Sequence, residues 1–141
     1  MRRFGIAAAS FALVTGCSAA PAATPTAPAT FDVKGTIAVT LILFDASDGD
    51  PCTTTGGYDD IRTGTQVKVS DASGKIVGLG ALSSGLARDT DTSWRGTNKC
   101  EFSFSVTGIP EGGEIFGVEV SHRGVVQFTR NQADQVALTL G

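Results

Sequence analysis

The clearest pattern in the chain is a two-residue alternation, in which Cys100, Phe102, Phe104 and Val106 are apolar and Glu101, Ser103, Ser105 and Thr107 between them are polar. A period of two puts each set on its own face of a β-strand, so the segment predicts a strand with one buried face. Phe31, Val33, Ile37, Val39, Leu41 and Leu43 alternate in the same way with Asp32, Lys34, Thr36 and Thr40. Val67 and Val69 alternate with Gln66, Lys68 and Ser70; Asp71-Ala72-Ser73-Gly74 then supplies turn chemistry, and Ile76, Val77, Leu79, Ala81 and Leu82 resume as the second arm of a hairpin.

After Pro110-Glu111-Gly112-Gly113, a strand over Ile115–His122 points Phe116, Val118 and Val120 inward, and parity brings His122 to the rim of the core. Gly124 precedes Val125, Val126 and Phe128, and Val136, Leu138 and Leu140 end the pattern. About seven short strands with glycine-rich turns predict an all-β fold, an antiparallel β-sandwich. The one short helical candidate is Asn131–Gln135, with a simple turn as the alternative. The hairpin string from Val67 to Gly80 resembles transthyretin-like and carboxypeptidase-regulatory sandwiches, and an immunoglobulin-like topology fits almost as well.

The N-terminus follows other rules. Arg2 and Arg3 precede an apolar run from Phe4 to Val14, too short against the roughly 20 residues a spanning helix needs. Thr15 and Gly16 then lead to Cys17, and Val14-Thr15-Gly16-Cys17 reads as a lipobox. Residues 1–16 are therefore expected to be a lipoprotein signal peptide, with Cys17 the first residue of the mature chain and the site of lipidation. Two or more acyl chains, at about 0.8 kcal/mol per buried methylene, would make a lasting membrane anchor on the extracytoplasmic face. From Ser18 to Thr30 the chain is almost wholly Ala, Pro, Thr and Ser, without charge. It cannot bury enough surface to fold, so residues 17–30 form a lipidated tether and 31–141 a single sandwich domain.

Loss of Arg2 and Arg3 with the leader reduces 11 basic residues to 9 against 14 acidic ones, a mature net charge of about −5. A basic patch is what nucleic acid requires, and the acidic balance argues against that partner. With Cys17 committed to lipid, Cys52 and Cys100 remain in a chain that matures where thiols oxidise, and a disulfide between them is expected. A metal site or redox pair finds no second cysteine at CxxC spacing and only one histidine, so no metal and no cofactor are expected.

Several segments carry candidate chemistry. Asp45-Ala46-Ser47-Asp48-Gly49-Asp50 is rich in carboxylates but lacks EF-hand spacing, and reads first as a solvated turn. Gly56-Gly57-Tyr58-Asp59-Asp60-Ile61 offers an aromatic ring and two carboxylates for sugar or peptide contact; the alternative is a structural corner in which Tyr58 packs inward and Asp59 caps a turn. His122, beside Arg123, is within reach of a hydrogen bond to Asp59 or Asp60 if the loops converge. Trp94, among Arg88, Asp89, Asp91 and Arg95, is either folded back on the sheet or an exposed contact residue.

The lipobox leader, the GGYDDI stretch between the two cysteines and the Ser121-His122-Arg123-Gly124 ending resemble those of small uncharacterised lipoproteins of the actinobacterial, mycobacterial type. That resemblance implies diacylglycerol on Cys17 and a coupled role for the loop and the His-Arg turn, and it implies no activity. The expectation is a membrane-anchored cell-envelope lipoprotein with a non-catalytic binding or contact domain, meeting an envelope protein or glycan through Tyr58, Asp59, Asp60, Trp94, His122 and Arg123. The alternatives are a hydrolase-type enzyme using His122 with Asp59 or Asp60, which needs a concave pocket, and a small-ligand or ion carrier, which needs a cavity inside the sandwich.

Overall fold

The computed structural model describes residues 26–41, 46–89 and 98–141, so Cys17, Leu43, Asp45 and Trp94 lie outside the described residues. Among the described residues, eight strands form two four-stranded sheets packed as a sandwich: β1 (Thr30–Leu41), β2 (Gln66–Asp71), β3 (Ile76–Ala81), β4 (Leu86–Asp89), β5 (Asn98–Pro110), β6 (Ile115–Val120), β7 (Val125–Thr129) and β8 (Val136–Leu140). One sheet has the order β4-β5-β1-β8 and the other β3-β2-β6-β7.

Alternation assigns the faces. Val33, Ile37 and Val39 of β1 and Phe102, Phe104 and Val106 of β5 point inward and are buried, as are Val67, Val69, Phe116, Val118 and Val120 from the opposing sheet. Phe116 bridges two aromatic neighbours, edge-on to Phe31 at 5.0 Å and stacked on Phe128 at 6.0 Å. The Asp71–Gly74 turn forms as its residues dictate: Asp71 Oδ1 accepts from the Ser73 and Lys75 amides and the Ser73 hydroxyl, while Gly74 takes φ +83°.

Three features depart from the sequence expectation. A strand, β4, lies inside the polar stretch between Ser83 and Lys99, because Leu86–Asp89 completes the edge of β5. The sandwich is not wholly antiparallel: β8 runs parallel to β1, since the Arg130–Gln132 3₁₀ turn carries the chain across from one sheet to the other instead of reversing it in a hairpin. The 3₁₀ turn overlaps the Asn131–Gln135 stretch and matches the turn alternative read there from the sequence. On β3 only Val77 among the apolar residues packs against the core, partly buried; Gly78 and Gly80 face inward opposite Val69 and Val67, and Leu79 is exposed. The missing side chains let β3 lie directly on β5, where a Cβ on Gly80 would come within 2.8 Å of Val106 and 2.9 Å of the Ser105 carbonyl.

The chain enters β1 at Thr30, beside Pro110 and the 111–114 turn. β1 and β6 run away from that end and β5 runs toward it, so the Ser121–Gly124 turn and the start of β2 lie at the opposite end of the sandwich.

Candidate functional site

The segment 51–65 closes that opposite end. The Cys52–Cys100 disulfide, S–S 2.01 Å with Cα atoms 5.8 Å apart, fastens its start to β5. Ile61 enters the core with no exposure, and Tyr58 packs half-buried against the same cluster. Thr54, the one buried polar residue among the described residues, places its hydroxyl 2.8 Å from the Tyr58 carbonyl and 2.6 Å from that of Ile61, so its single proton holds the loop closed from inside. The Thr65 hydroxyl donates to the Asp60 carbonyl at 2.6 Å and accepts from the Arg62 amide at 3.1 Å. Gly56 and Gly57, at φ +65° and +96°, provide the left-handed bend that brings Tyr58 back over the core.

The Ser121–Gly124 turn meets this corner. Ser121 takes φ +55°, the only non-glycine residue in the left-handed region among the described residues, and Gly124 takes +89°. The strand therefore ends at Val120, and His122, expected at the rim of the core, is exposed beyond it. Its ring Nδ1 lies 3.5 Å from the Ser121 hydroxyl. Arg123 instead turns to the corner, donating through Nε to Asp60 Oδ2 at 2.9 Å, through Nη2 to Asp60 Oδ1, and to the Gly57 carbonyl at 2.6 Å. Its guanidinium also sits 5.0 Å from the centre of the Tyr58 ring.

This geometry sets the electrostatics. Hydrogen bonding from Arg123, with smaller help from Ser121 and the loop backbone, holds the Asp60 carboxyl at about 2, below its ordinary 3.8. The carboxylate in return raises Arg123 above its usual value. Of the residues flagged in the sequence, Tyr58, Asp60 and Arg123 come together, Asp59 is exposed beside them, and His122 borders the cluster. The hydrogen bond expected between His122 and an aspartate gives way to Arg123, whose fork matches a carboxylate on two atoms where an imidazole meets it on one.

Asp60, Arg62, Thr63, Gln66, Ser121 and His122 line an open polar cavity of about 390 Å³ at this corner. A wider groove of about 690 Å³ crosses the outer face of the other sheet among Lys34, Thr36, Ser103 and Ser105, and gathers none of the flagged residues. Between the sheets the space is filled by Phe102, Ile37, Ile109, Val33 and Val106. Near Asp48, the Asp50 carboxylate accepts from the Ser47 amide at 2.8 Å, and backbone bonds from Gly49 to Ala87 and from Ala87 to Asp50 strap this stretch along β4. Among the described residues no group of three or more His, Cys, Asp or Glu could hold a metal ion, and no helix is long and apolar enough to cross a membrane.

Sequence reasoning missed Thr54, Ile61 and Thr65, the residues that shape the corner from within. A threonine two residues before a Gly-Gly pair carries no periodic signal, and Ile61 stands alone among polar neighbours. Comparison with protein families, curated proteins and solved structures finds no match to this chain. Its function is therefore argued from its own residues.

Proposed function

We propose that this protein is a lipoprotein anchored to the cell envelope through Cys17, and that its sandwich is a non-catalytic contact domain. The end opposite Thr30 presents the contacting surface. One observation carries the reading: Tyr58, Asp60 and Arg123, distant in sequence, form one braced corner at the end away from the tether, with Asp59, Arg62 and His122 exposed around it. A rigid scaffold that orders exposed polar loops at one pole is how contact domains are commonly built. The partner of that surface is an envelope protein or glycan.

The test has two parts. Cys17→Ala in the full chain should move the protein from the membrane to the soluble fraction, and retention in the membrane overturns the anchor. A photo-crosslinking residue in place of Asp59 or His122 should then give adducts on intact cells that the same residue in place of Glu114, at the tether end, does not. Equal adducts from both ends, or none from either, overturn the assignment of the surface.

A further inference from the structure

Each sheet of a sandwich has two edges, and unpaired edges are normally blunted with charge, proline, bulges or a covering segment. Here β3 lies against β5 and continues into a bridge between Leu82 and Phe104. β4 is strapped by Gly49–Pro51. β8 likewise carries neither charge nor proline, but its inward-facing Val136 and Leu138 are both buried. Among the described residues β7 has no covering segment apart from the Gln132 side chain at Thr129, and one of its inward-facing residues is left exposed. It ends its sheet, and Val125-Val126-Gln127-Phe128-Thr129 contains neither charge nor proline. Val126 lies opposite buried Val118 yet is 48% exposed, because no strand among the described residues lies beyond it.

The ladder fixes which backbone groups face outward. The Arg130 amide donates to the Glu114 carbonyl at 2.9 Å, one step past the paired residues of β6 and β7. Bonded pairs alternate in an antiparallel ladder, so Phe128 and Val126 bond to β6 while Val125, Gln127 and Thr129 turn their backbone groups away from it. The Thr129 amide confirms the direction, since it is taken by Gln132 Oε1 at 2.9 Å outside the ladder.

We propose that this free edge pairs with β7 of a second copy of the chain, antiparallel and centred on Gln127. In that register Gln127 exchanges both backbone bonds with its counterpart, and each Val125 amide donates to the Thr129 carbonyl of the other copy. Val126 then meets Phe128 of the second copy on the inner face, which carries the apolar core across the seam. A register centred on Val125 or Thr129 leaves outward groups past the end of the partner strand.

Charge favours a second copy along this edge. The chain is acidic overall, which opposes contact between copies elsewhere, but β7 adds no charge and its neighbours are paired as Lys68–Glu119, Arg123–Asp60 and Arg130–Glu111. A lipid surface does not fit, because outward amides and carbonyls lose water there without gaining partners.

The test is disulfide trapping of the full chain in its membrane. Directly opposed residues of an antiparallel pair lie within reach of a disulfide. Gln127→Cys should form a homodimer under mild oxidation, several-fold more than Thr107→Cys on the exposed outer face of the other sheet. Val125→Cys and Thr129→Cys should dimerise poorly alone and well when co-expressed. Adding Val126→Lys to Gln127→Cys should abolish the dimer, with native circular dichroism showing that the fold survives. Trapping of Gln127→Cys no greater than that of Thr107→Cys, or adducts of a mass other than twice the chain, overturn the proposal.

Discussion

Arg123 and Asp60, 63 positions apart, meet in a two-pronged ion pair that ties the β6–β7 turn to the corner after Cys52. The same guanidinium reaches the Gly57 carbonyl and lies over Tyr58, so one side chain braces three parts of the loop. Lysine keeps the charge but loses the fork and the planar stacking. Arg123→Lys should therefore lower the melting temperature almost as far as Arg123→Ala, by a few degrees in calorimetry. In a double-mutant cycle, Asp60→Asn should cost little once Arg123 is gone. Additive losses would mean that the two side chains act independently.

The pair also fixes a pH dependence. Asp60 is held at about 2 in the folded protein against an ordinary 3.8, so folding favours its ionised form. The stability it contributes is present above the unfolded value and is lost as pH falls through the folded one. The melting temperatures of the native protein and Asp60→Asn should differ by a constant amount at neutral pH and converge between about pH 4 and pH 2. High salt should narrow the gap at neutral pH, because both side chains are partly exposed to solvent.

The strands of the core were legible in the sequence because each buries one face and so repeats every second residue, as Phe102, Phe104 and Val106 do. The Cys52–Cys100 pairing was legible from compartment and count. The alternation said less where the burying residue is glycine: on β3, Gly78 and Gly80 face inward and Leu79 outward, because backbone-to-strand contact replaces side-chain packing. It also failed at His122, since parity holds only while the strand continues and Ser121 ends it in a left-handed conformation. The Arg123–Asp60 contact is long-range, and no local spacing encodes it.

The close approach of β3 predicts the effect of adding a single methyl group. A Cβ at Gly80 would stand 2.8 Å from Val106 and 2.9 Å from the Ser105 carbonyl, and backbone yields less readily than a side-chain end. Gly80→Ala should destabilise by about 1–3 kcal/mol through overpacking, despite the better strand-forming character of alanine. In urea titration the midpoint should fall with the slope unchanged. Gly112→Ala, where an added Cβ meets nothing, is the control and should be near neutral.

The disulfide and the Ile61 plug act on the same segment by different routes. The cross-link joins residues 48 apart and, on the chain-entropy account, stabilises by about 4 kcal/mol by restricting the unfolded chain. Ile61 is buried without exposure, so Ile61→Ala should cost about 2–5 kcal/mol in lost burial and cavity formation. The slopes of urea unfolding separate the two. Cys52→Ala with Cys100→Ala should lower stability and steepen the slope, because the freed chain exposes more surface when unfolded. Ile61→Ala should lower stability at constant slope. If the double cysteine variant instead kept both midpoint and slope, segment 51–65 would be held by Ile61, Thr54 and Arg123 alone, and reduction would leave the Tyr58 corner intact.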